Sequence, residues 1–177
     1  MNNPQFQIAN MSDIAHRGYD VIIVDETVDW NKNYWGYSDL DMAAQHAVEV
    51  FNPAFRAAKE INPEIKVGIV EHYRDYLWAF MRAGGKPDFV SGEDYIDGWG
   101  DIQQADLDLL KNTYNVQTQQ WVIGVDKIMQ YSGKVDLVIA ADVRGEWGNH
   151  FRAFKYSDAL KRRLAQSCKI FFPAIAK

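Results

Sequence analysis

Short runs of consecutive apolar residues alternate along this chain with stretches whose apolar positions follow a helical spacing. Val21–Val24 is a run of four β-branched residues, and a second apolar run extends from Leu137 to Ala141. Because a strand with one solvated face alternates apolar and polar residues, both runs indicate strands buried on both faces. In all, strands are predicted over 20–25, 65–70, 87–92, 116–123, 135–141 and 169–174, with a short first strand over 6–9.

The stretch that follows Ser38 has the clearest helical pattern. Apolar residues from Leu40 to Phe51 recur at the spacing of one buried helix face. Ser38 is the predicted N-cap, Asn52-Pro53 is a predicted break, and the pattern resumes as far as Ile61. Further helices are predicted over 13–17, 74–83, 101–114, 125–131 and 151–166, and a long loop over 27–37.

The alternation of strands and helices predicts a single α/β domain over residues 1–177. Parallel neighbouring strands need a crossover connection, so repeated βα units indicate a mainly parallel sheet. A complete eight-unit barrel usually takes about 250 residues, which favours a compact or incomplete TIM-barrel-like fold. The alternative is an open doubly wound three-layer sheet. In both architectures the carboxyl ends of the strands lie at one edge, where ligand sites concentrate.

Acidic residues follow four of the predicted strands. A pair of facing carboxylates supplies general acids, bases and nucleophiles, and such a pair flanking a sugar linkage is the usual equipment of glycoside hydrolysis. Each acidic residue taken singly is also explained as a helix cap or a solvated charge. The group nevertheless predicts a catalytic site at the strand ends, with these candidates: Asp25, Glu26, Glu71, Glu93 and Asp142.

Aromatic residues make up 14% of the chain, and many of them fall in segments that follow strands. Aromatic planes that stack on sugar rings, with acids between them, are typical of a carbohydrate cleft. The 27–37 segment is predicted to form one wall of that cleft, opposite residues 95–99. A contact between copies of the chain is the alternative, since Tyr and Trp are enriched at interfaces. The predicted substrate-binding residues are Trp30, Trp35, His72, Asp94, Tyr95, Trp99 and Glu146.

Composition disfavours several other classes of protein. Lys and Arg number 19 against 24 Asp and Glu, for a net charge of -5, and DNA or RNA binding needs a basic surface. A single cysteine excludes an intramolecular disulfide. No signal peptide and no apolar segment of membrane-spanning length is visible. We therefore expect a cytoplasmic or otherwise soluble protein that binds a small molecule or glycan rather than nucleic acid or membrane, with a homo-oligomer as an open alternative.

The segment Ala15-His16-Arg17-Gly18-Tyr19-Asp20 and the apolar run that follows it, ending in Asp25-Glu26, resemble a segment of TIM-barrel glycoside hydrolases, polygalactosaminidase-like enzymes among them. In those enzymes a helix ends in Gly, an aromatic residue and Asp follow, and an apolar strand delivers acidic residues. A looser similarity covers residues 89–95. The resemblance implies that Asp25 or Glu26 is one catalytic carboxylate and that Glu93 is the other.

Two further functions remain open from the sequence. A metal-dependent hydrolase would draw its ligands from Glu146 and His150, with His72 and Glu71, and Asp25 or Asp142. A non-catalytic binding or assembly protein on a degenerate barrel is the other alternative. The chain has no GxGxxG, Walker or GxSxG motif, so nucleotide binding and serine-hydrolase chemistry are disfavoured and no cofactor is predicted.

Overall fold

A computed structural model describes residues 3–94, 100, 102–122, 130–131, 134–140 and 170–171. Strands alternate with helices over most of this length. The predicted helix over 151–166 lies outside the described residues, as does most of the one over 125–131. The elements, in chain order, are α1 (Pro4–His16), β1 (Val21–Asp25), α2 (Thr27–Tyr34), α3 (Leu40–Ile61), β2 (Lys66–Glu71), α4 (Arg74–Arg82), β3 (Phe89–Asp94), α5 (Gln104–Tyr114), β4 (Gln117–Val122), β5 (Leu137–Ala140) and β6 (Ile170–Phe171).

The six described strands form one sheet in the order β1-β2-β3-β4-β5-β6, and every neighbouring pair is parallel. The strand order contains no reversal, which a doubly wound sheet requires. Right-handed crossovers between successive neighbours place the connecting helices on one side of the sheet. The predicted α/β fold with a parallel, incomplete TIM-barrel-like sheet is therefore confirmed.

The predicted first strand over residues 6–9 is wrong. Those residues lie within α1, which also contains the predicted short helix over 13–17. Asn3 caps this helix, since its Oδ1 accepts a hydrogen bond from the Gln5 amide at 2.9 Å, and Pro4 follows in the first turn. Met11 and Ala15 are buried one helical turn apart, whereas Phe6 is exposed. The prediction failed because Phe6 and Ile8 alternate with polar neighbours, which is also the pattern of a half-buried strand.

The predicted long loop over residues 27–37 is also wrong, because Thr27–Tyr34 forms helix α2. The segment offers no local capping signal: its N-cap position is Glu26, whose side chain makes no capping hydrogen bond. Glu71, at the end of β2, caps the helix instead. Its Oε1 accepts hydrogen bonds from the Val28 amide at 2.7 Å and from Thr27 Oγ1 at 2.8 Å. A cap that comes from 43 residues away cannot be recognised in the local sequence.

Helix α3 runs without interruption through Pro53, where the sequence predicted a break. It begins one residue later than predicted, with Asp39 rather than Ser38 as the N-cap, and Asp39 Oδ1 accepts from the Met42 amide at 2.9 Å. Its buried face is rich in alanine, which allows α1 and α2 to pack closely against it. No helix in the described part of the chain has the length and apolar composition needed to cross a bilayer.

Pleating divides the residues of each strand between two faces of the sheet. One face packs against the helices and includes Val67, Ile69 and Val90. The other, which we call the inner face, corresponds to the inside of a barrel. Gly68 lies on the inner face beneath the ring of Phe89: a Cβ at this glycine would come within 2.2 Å of Phe89 Cε2. Only glycine leaves room there for the aromatic ring.

At two places in the sheet, an aspartate at the start of a strand accepts hydrogen bonds from the neighbouring strand and from a lysine. Asp88, before β3, accepts from the Val67 amide at 2.8 Å and from Lys59 Nζ at 2.7 Å. Asp136, before β5, repeats this arrangement. It accepts from the Thr118 amide at 2.9 Å and from Lys111 Nζ at 2.7 Å. In both cases the lysine comes from the helix that precedes the neighbouring strand, so the contacts join consecutive βα units at the amino ends of the strands.

Candidate functional site

The acidic pairs at the strand ends are split between the two sides of the sheet. In β2, Glu71 continues the helix-facing positions and contacts α2. The next residue, His72, returns to the inner side. In β3, Glu93 lies on the inner side, while Asp94 Oδ2 accepts a hydrogen bond of 2.6 Å from the buried Tyr131 hydroxyl. The alternation of a strand explains this division, because consecutive side chains point to opposite faces.

Glu26, His72 and Glu93 come together at the rim of the inner face. One ligand-type atom from each, a carboxylate oxygen or a ring nitrogen, lies within 4.8 Å of those of the other two. His72 Nδ1 is 3.1 Å from Glu26 Oε1. His72 and Glu93 are 3% and 7% exposed, whereas the Glu26 side chain is 24% exposed. The cluster is therefore largely buried and reaches solvent through Glu26.

Asp29 supports the cluster from helix α2. Its Oδ1 lies 3.7 Å from His72 Nε2, the ring nitrogen that faces away from Glu26. Asn33, one turn further along α2, donates a hydrogen bond of 2.6 Å to the same oxygen. Burial raises the pKa of Asp29, and the charge of His72 and the hydrogen bond from Asn33 oppose that rise. The imidazole is thus held between carboxylates on both of its nitrogen atoms.

Glu26 has a left-handed backbone, with φ 50° and ψ 46°. This conformation is uncommon for a residue with a side chain, and such residues concentrate at functional sites. The Glu26 amide donates to the Val70 carbonyl at 2.8 Å, and the Glu26 carbonyl accepts from the Trp30 amide at 3.0 Å. These two bonds hold the turn between β1 and α2, and the turn places the Glu26 carboxylate beside His72.

The surrounding carboxylates control the charge of His72. Burial by itself lowers the pKa of the imidazole, but the contact with Glu26 and the negative charges of Glu26, Asp29 and Glu93 outweigh burial. The net effect raises the pKa of His72 above its ordinary value. The ring therefore carries a proton over more of the neutral pH range than a free histidine does.

Two other predicted catalytic residues, Glu71 and Asp25, have raised pKa values. Glu71 is fully buried, and burial raises its pKa to about 8, although the hydrogen bonds from Val28 and Thr27 favour the ionised form. Asp25 lies at the end of the edge strand β1 and keeps contact with solvent. Partial burial and the charge of Glu26 raise its pKa to about 6, and His72 opposes the rise. A catalytic role for either carboxyl stays a prediction.

The aromatic residues of α2 and Trp35, which follows the helix, form a small group. The rings of Trp30 and Tyr34 are 4.4 Å apart between centroids, and those of Trp30 and Trp35 are 6.4 Å apart. Tyr34 is 65% exposed. Four predicted site residues lie outside the described part of the chain: Tyr95, Trp99, Asp142 and Glu146.

Trp121 was not predicted as a site residue. It lies opposite Glu93 in the register of β3 and β4. Its Nε1 is buried, and no hydrogen-bond acceptor for it is found among the described residues. The alternation of side chains in a strand places Gln117, Gln119 and Trp121 on the inner face once the pairing of β3 with β4 is known. The strand pairing itself is not visible in the sequence.

Two open surface depressions lie away from the cluster. One, of about 460 Å³, is lined by residues of α3 together with Lys86, and the other, of about 520 Å³, lies between α1 and β1. Neither is lined by Glu26, His72 or Glu93. The cluster therefore does not lie in either depression.

No protein-family model and no curated protein matches this chain. Among solved structures, the homocysteine methyltransferase MmuM from Escherichia coli is similar in its apo form, with a TM-score of 0.55, 14% identity, and coverage of 96% of this chain and 80% of that one. Its metallated form gives a TM-score of 0.54 at 13% identity with the same coverage. At this identity the likeness shows the fold alone.

Glycosidases also occur among the structural neighbours. The family 1 β-glucosidase from Thermotoga maritima has a TM-score of 0.47 at 14% identity and covers 96% of this chain and 56% of that one. The GH53 catalytic domain from Ignisphaera aggregans has a TM-score of 0.45 at 14% identity and covers 67% and 38%. Scores this low carry no argument about function, so the activity must be argued from the site itself.

Proposed function

We propose that the protein is a carbohydrate-active hydrolase in which Glu26 and Glu93 form the catalytic carboxylate pair. The observation that carries the proposal is their closeness: an oxygen of each lies within 4.8 Å of the other at the carboxyl ends of parallel strands. Retaining glycosidases hold their two carboxyl groups about 5–5.5 Å apart, whereas inverting enzymes leave a wider gap for water. The short separation favours a retaining mechanism.

His72 gives this pair an electrostatic asymmetry. The ring contacts Glu26 directly at 3.1 Å and is held from its other side by Asp29. In a retaining mechanism one carboxylate attacks the sugar while the other protonates the leaving oxygen and later activates water. We assign the attack to Glu26, because it is the member of the pair that reaches solvent and contacts the imidazole. Glu93 is then the acid and base.

The aromatic residues of α2 supply the sugar-binding surface in this proposal. The exposed ring of Tyr34, backed by Trp30 at 4.4 Å, offers a flat apolar face beside polar side chains. A pyranose has the matching pair of features, an apolar ring face and a rim of hydroxyl groups. The narrower form of the proposal, suggested by the resemblance in sequence, is that the sugar is a galactosamine polymer.

The proposal is tested by measuring hydrolysis of a panel of aryl glycosides and galactosaminyl oligosaccharides. Glu26→Gln and Glu93→Gln should each lower kcat by about 100-fold or more, since each removes a group that acts in bond cleavage. Azide should restore part of the activity of Glu26→Ala, whose shortened side chain leaves room for the anion, and yield a glycosyl azide. Glu64→Gln, which alters an exposed acid in the turn before β2, is the matched control and should leave kcat unchanged.

The rival is a non-catalytic protein that uses the α2 aromatics to contact a second copy of the chain. Replacing Tyr34 with Ala should weaken glycan binding, followed by tryptophan fluorescence, without changing the mass of the protein in solution. Absence of any hydrolysis, together with a dimer that Tyr34→Ala converts to a monomer, would leave the aromatic group as an assembly surface and refute the proposal.

A further inference from the structure

The cluster of Glu26, His72 and Glu93 contains the ligand types of a metal site. Two carboxylates and one imidazole approach from the ends of three neighbouring strands, and their nearest ligand atoms lie within 4.8 Å of one another. A cation at the centre of such a triangle would have ligand bonds of about 2.0–2.2 Å after each atom moved inward by less than about 1 Å. Glu26 has solvent on one side, so its carboxylate can make that movement.

The charge of the cluster also favours a cation. His72 contributes at most one positive charge, while Glu26, Asp29 and Glu93 contribute three carboxylates around it. Carboxylates that are close together and shielded from water repel one another strongly. A divalent ion bound to the inner oxygens of Glu26 and Glu93 would offset that repulsion where a single protonated imidazole does so only in part.

Asp29 lies on the side of His72 where a metal-bound histidine usually has a carboxylate partner. A histidine that binds a metal through one ring nitrogen usually donates its other N–H to a carboxylate, which fixes the orientation of the ring. If His72 binds through Nδ1, its Nε2 faces Asp29 Oδ1 at 3.7 Å, and Asn33 holds that same oxygen at 2.6 Å. Asp29 is in this sense a positioning residue.

We propose that Glu26, His72 and Glu93 bind one divalent transition-metal ion, with Zn²⁺ as the preferred ion. An imidazole nitrogen suits Zn²⁺ and disfavours the hard cations Ca²⁺ and Mg²⁺, which take oxygen ligands. Three protein ligands would leave a position open for water, as in catalytic zinc sites. The site shares His72 with the metal site considered from the sequence, but its other ligands are Glu26 and Glu93 in place of Glu71, Glu146 and His150, and Asp25 or Asp142. The inference rests on the cluster and not on the proposed function, since a bound ion would hold the two carboxylates that the retaining mechanism needs free.

The test is a calorimetric titration of the whole chain, freed of metal with EDTA and dialysed, with ZnCl₂, MnCl₂ and CaCl₂ in separate runs. One Zn²⁺ per chain should bind, Mn²⁺ more weakly, and Ca²⁺ not measurably. Glu26→Gln, His72→Gln and Glu93→Gln should each weaken Zn²⁺ binding by about 100-fold or more, and Asp29→Asn by about 10–100-fold. CoCl₂ gives a second readout, because the visible absorption of bound Co²⁺ reports its coordination.

His16→Gln and Glu64→Gln are the matched controls, since both remove exposed groups of the same chemistry outside the cluster. Equal loss of binding in the controls and in the cluster variants would mean adventitious surface binding and would overturn the proposal. Circular dichroism checks that each variant folds. Should the variants at the two buried ligands fail to fold, Glu26→Gln decides, because Glu26 is the most exposed ligand. Unchanged Zn²⁺ affinity in that variant would also overturn the site.

Activity separates this inference from the proposed function. Stoichiometric Zn²⁺ binding by a protein that hydrolyses no glycoside supports the metal site and removes the glycosidase proposal. Hydrolysis by a chain that binds no Zn²⁺ and is unaffected by EDTA does the reverse. Hydrolysis that is lost with EDTA and restored by ZnCl₂ supports the metal site and contradicts the retaining mechanism, because Glu26 and Glu93 cannot bind the ion and also act as nucleophile and acid.

Discussion

Glu71 is a carboxylic acid without access to solvent, and replacing it with glutamine should make the protein more stable at neutral pH. Burial raises its pKa from 4.5 to about 8, so the folded protein keeps this group protonated at pH 7 while the unfolded chain ionises it. Below pH 4.5 the group is protonated in both states, so its raised pKa does not lower the free energy of unfolding. That free energy falls as the pH rises from 4.5 towards 8.

The size of the effect follows from that pH interval. At pH 7 the unfolded chain gains the free energy of ionisation over about 2.5 pH units, or about 3 kcal/mol at 1.36 kcal/mol per unit. Glutamine has the shape of the protonated acid, and its carbonyl oxygen can still accept from Val28 and Thr27. Glu71 Oε2 has no hydrogen-bond partner among the described residues, so an amide nitrogen in its place breaks no existing hydrogen bond.

The measurement is urea denaturation from pH 4.5 to 8 with EDTA in every sample, so that metal binding does not contribute. The difference between Glu71→Gln and the unaltered chain should be small at pH 4.5 and grow to about 3 kcal/mol in favour of the variant at pH 7. Glu64→Gln is the control and should run parallel to the unaltered chain. If Glu71→Gln also runs parallel, the folded protein holds Glu71 ionised, and the argument from burial is refuted.

Three further substitutions test the packing and the hydrogen bonds of the sheet by urea denaturation. Gly68→Ala should cost about 1–3 kcal/mol, because its Cβ would meet Phe89, and the cost should shrink when Phe89→Leu is added; an equal cost in both backgrounds would contradict the contact. Tyr131→Phe should cost about 2 kcal/mol through loss of the bond to Asp94, and no cost would mean that the bond contributes nothing. Asp136→Asn should lower stability at pH 7 and lose its effect as the pH falls, because hydrogen bonds from Lys111 and Thr118 outweigh burial and lower the pKa of Asp136; a constant effect at all pH values would contradict this.

The positions of β1 and β2 were predictable from their apolar runs, but the predicted burial of Val21–Val24 on both faces is wrong, because β1 lies at the edge of the described sheet and Val21 is 47% exposed. Val21–Val24 and residues 65–70 predict β1 and β2 to within a residue or two. Helix α2 was not predictable in the same way. Its capping acceptor is Glu71, which is near in space and far along the chain, and a local sequence pattern holds no trace of such a contact.

The candidate site was predictable only in part for the same reason. The acidic residues at the strand ends indicate the edge of the sheet, but they do not tell which member of each pair faces inward. The alternation through Val67 and Ile69 assigns Glu71 to the helix side once those residues are known to face the helices. The approach of Glu26 to His72 depends on a left-handed backbone at a non-glycine residue, a conformation that the local sequence does not indicate.

The hydrogen bonds of Asp88 and Asp136 affect which substitutions the protein can tolerate over evolution. They join the amino ends of the strands, while Glu26, His72 and Glu93 lie at the carboxyl ends, about 17 Å away along a strand of six residues. Free-energy changes at sites separated by more than about 10 Å usually add without coupling. Substitutions that alter Glu26, His72 or Glu93 should therefore leave the hydrogen bonds of Asp88 and Asp136 intact. A stabilising change at the amino ends of the strands can then offset a destabilising one at the carboxyl ends.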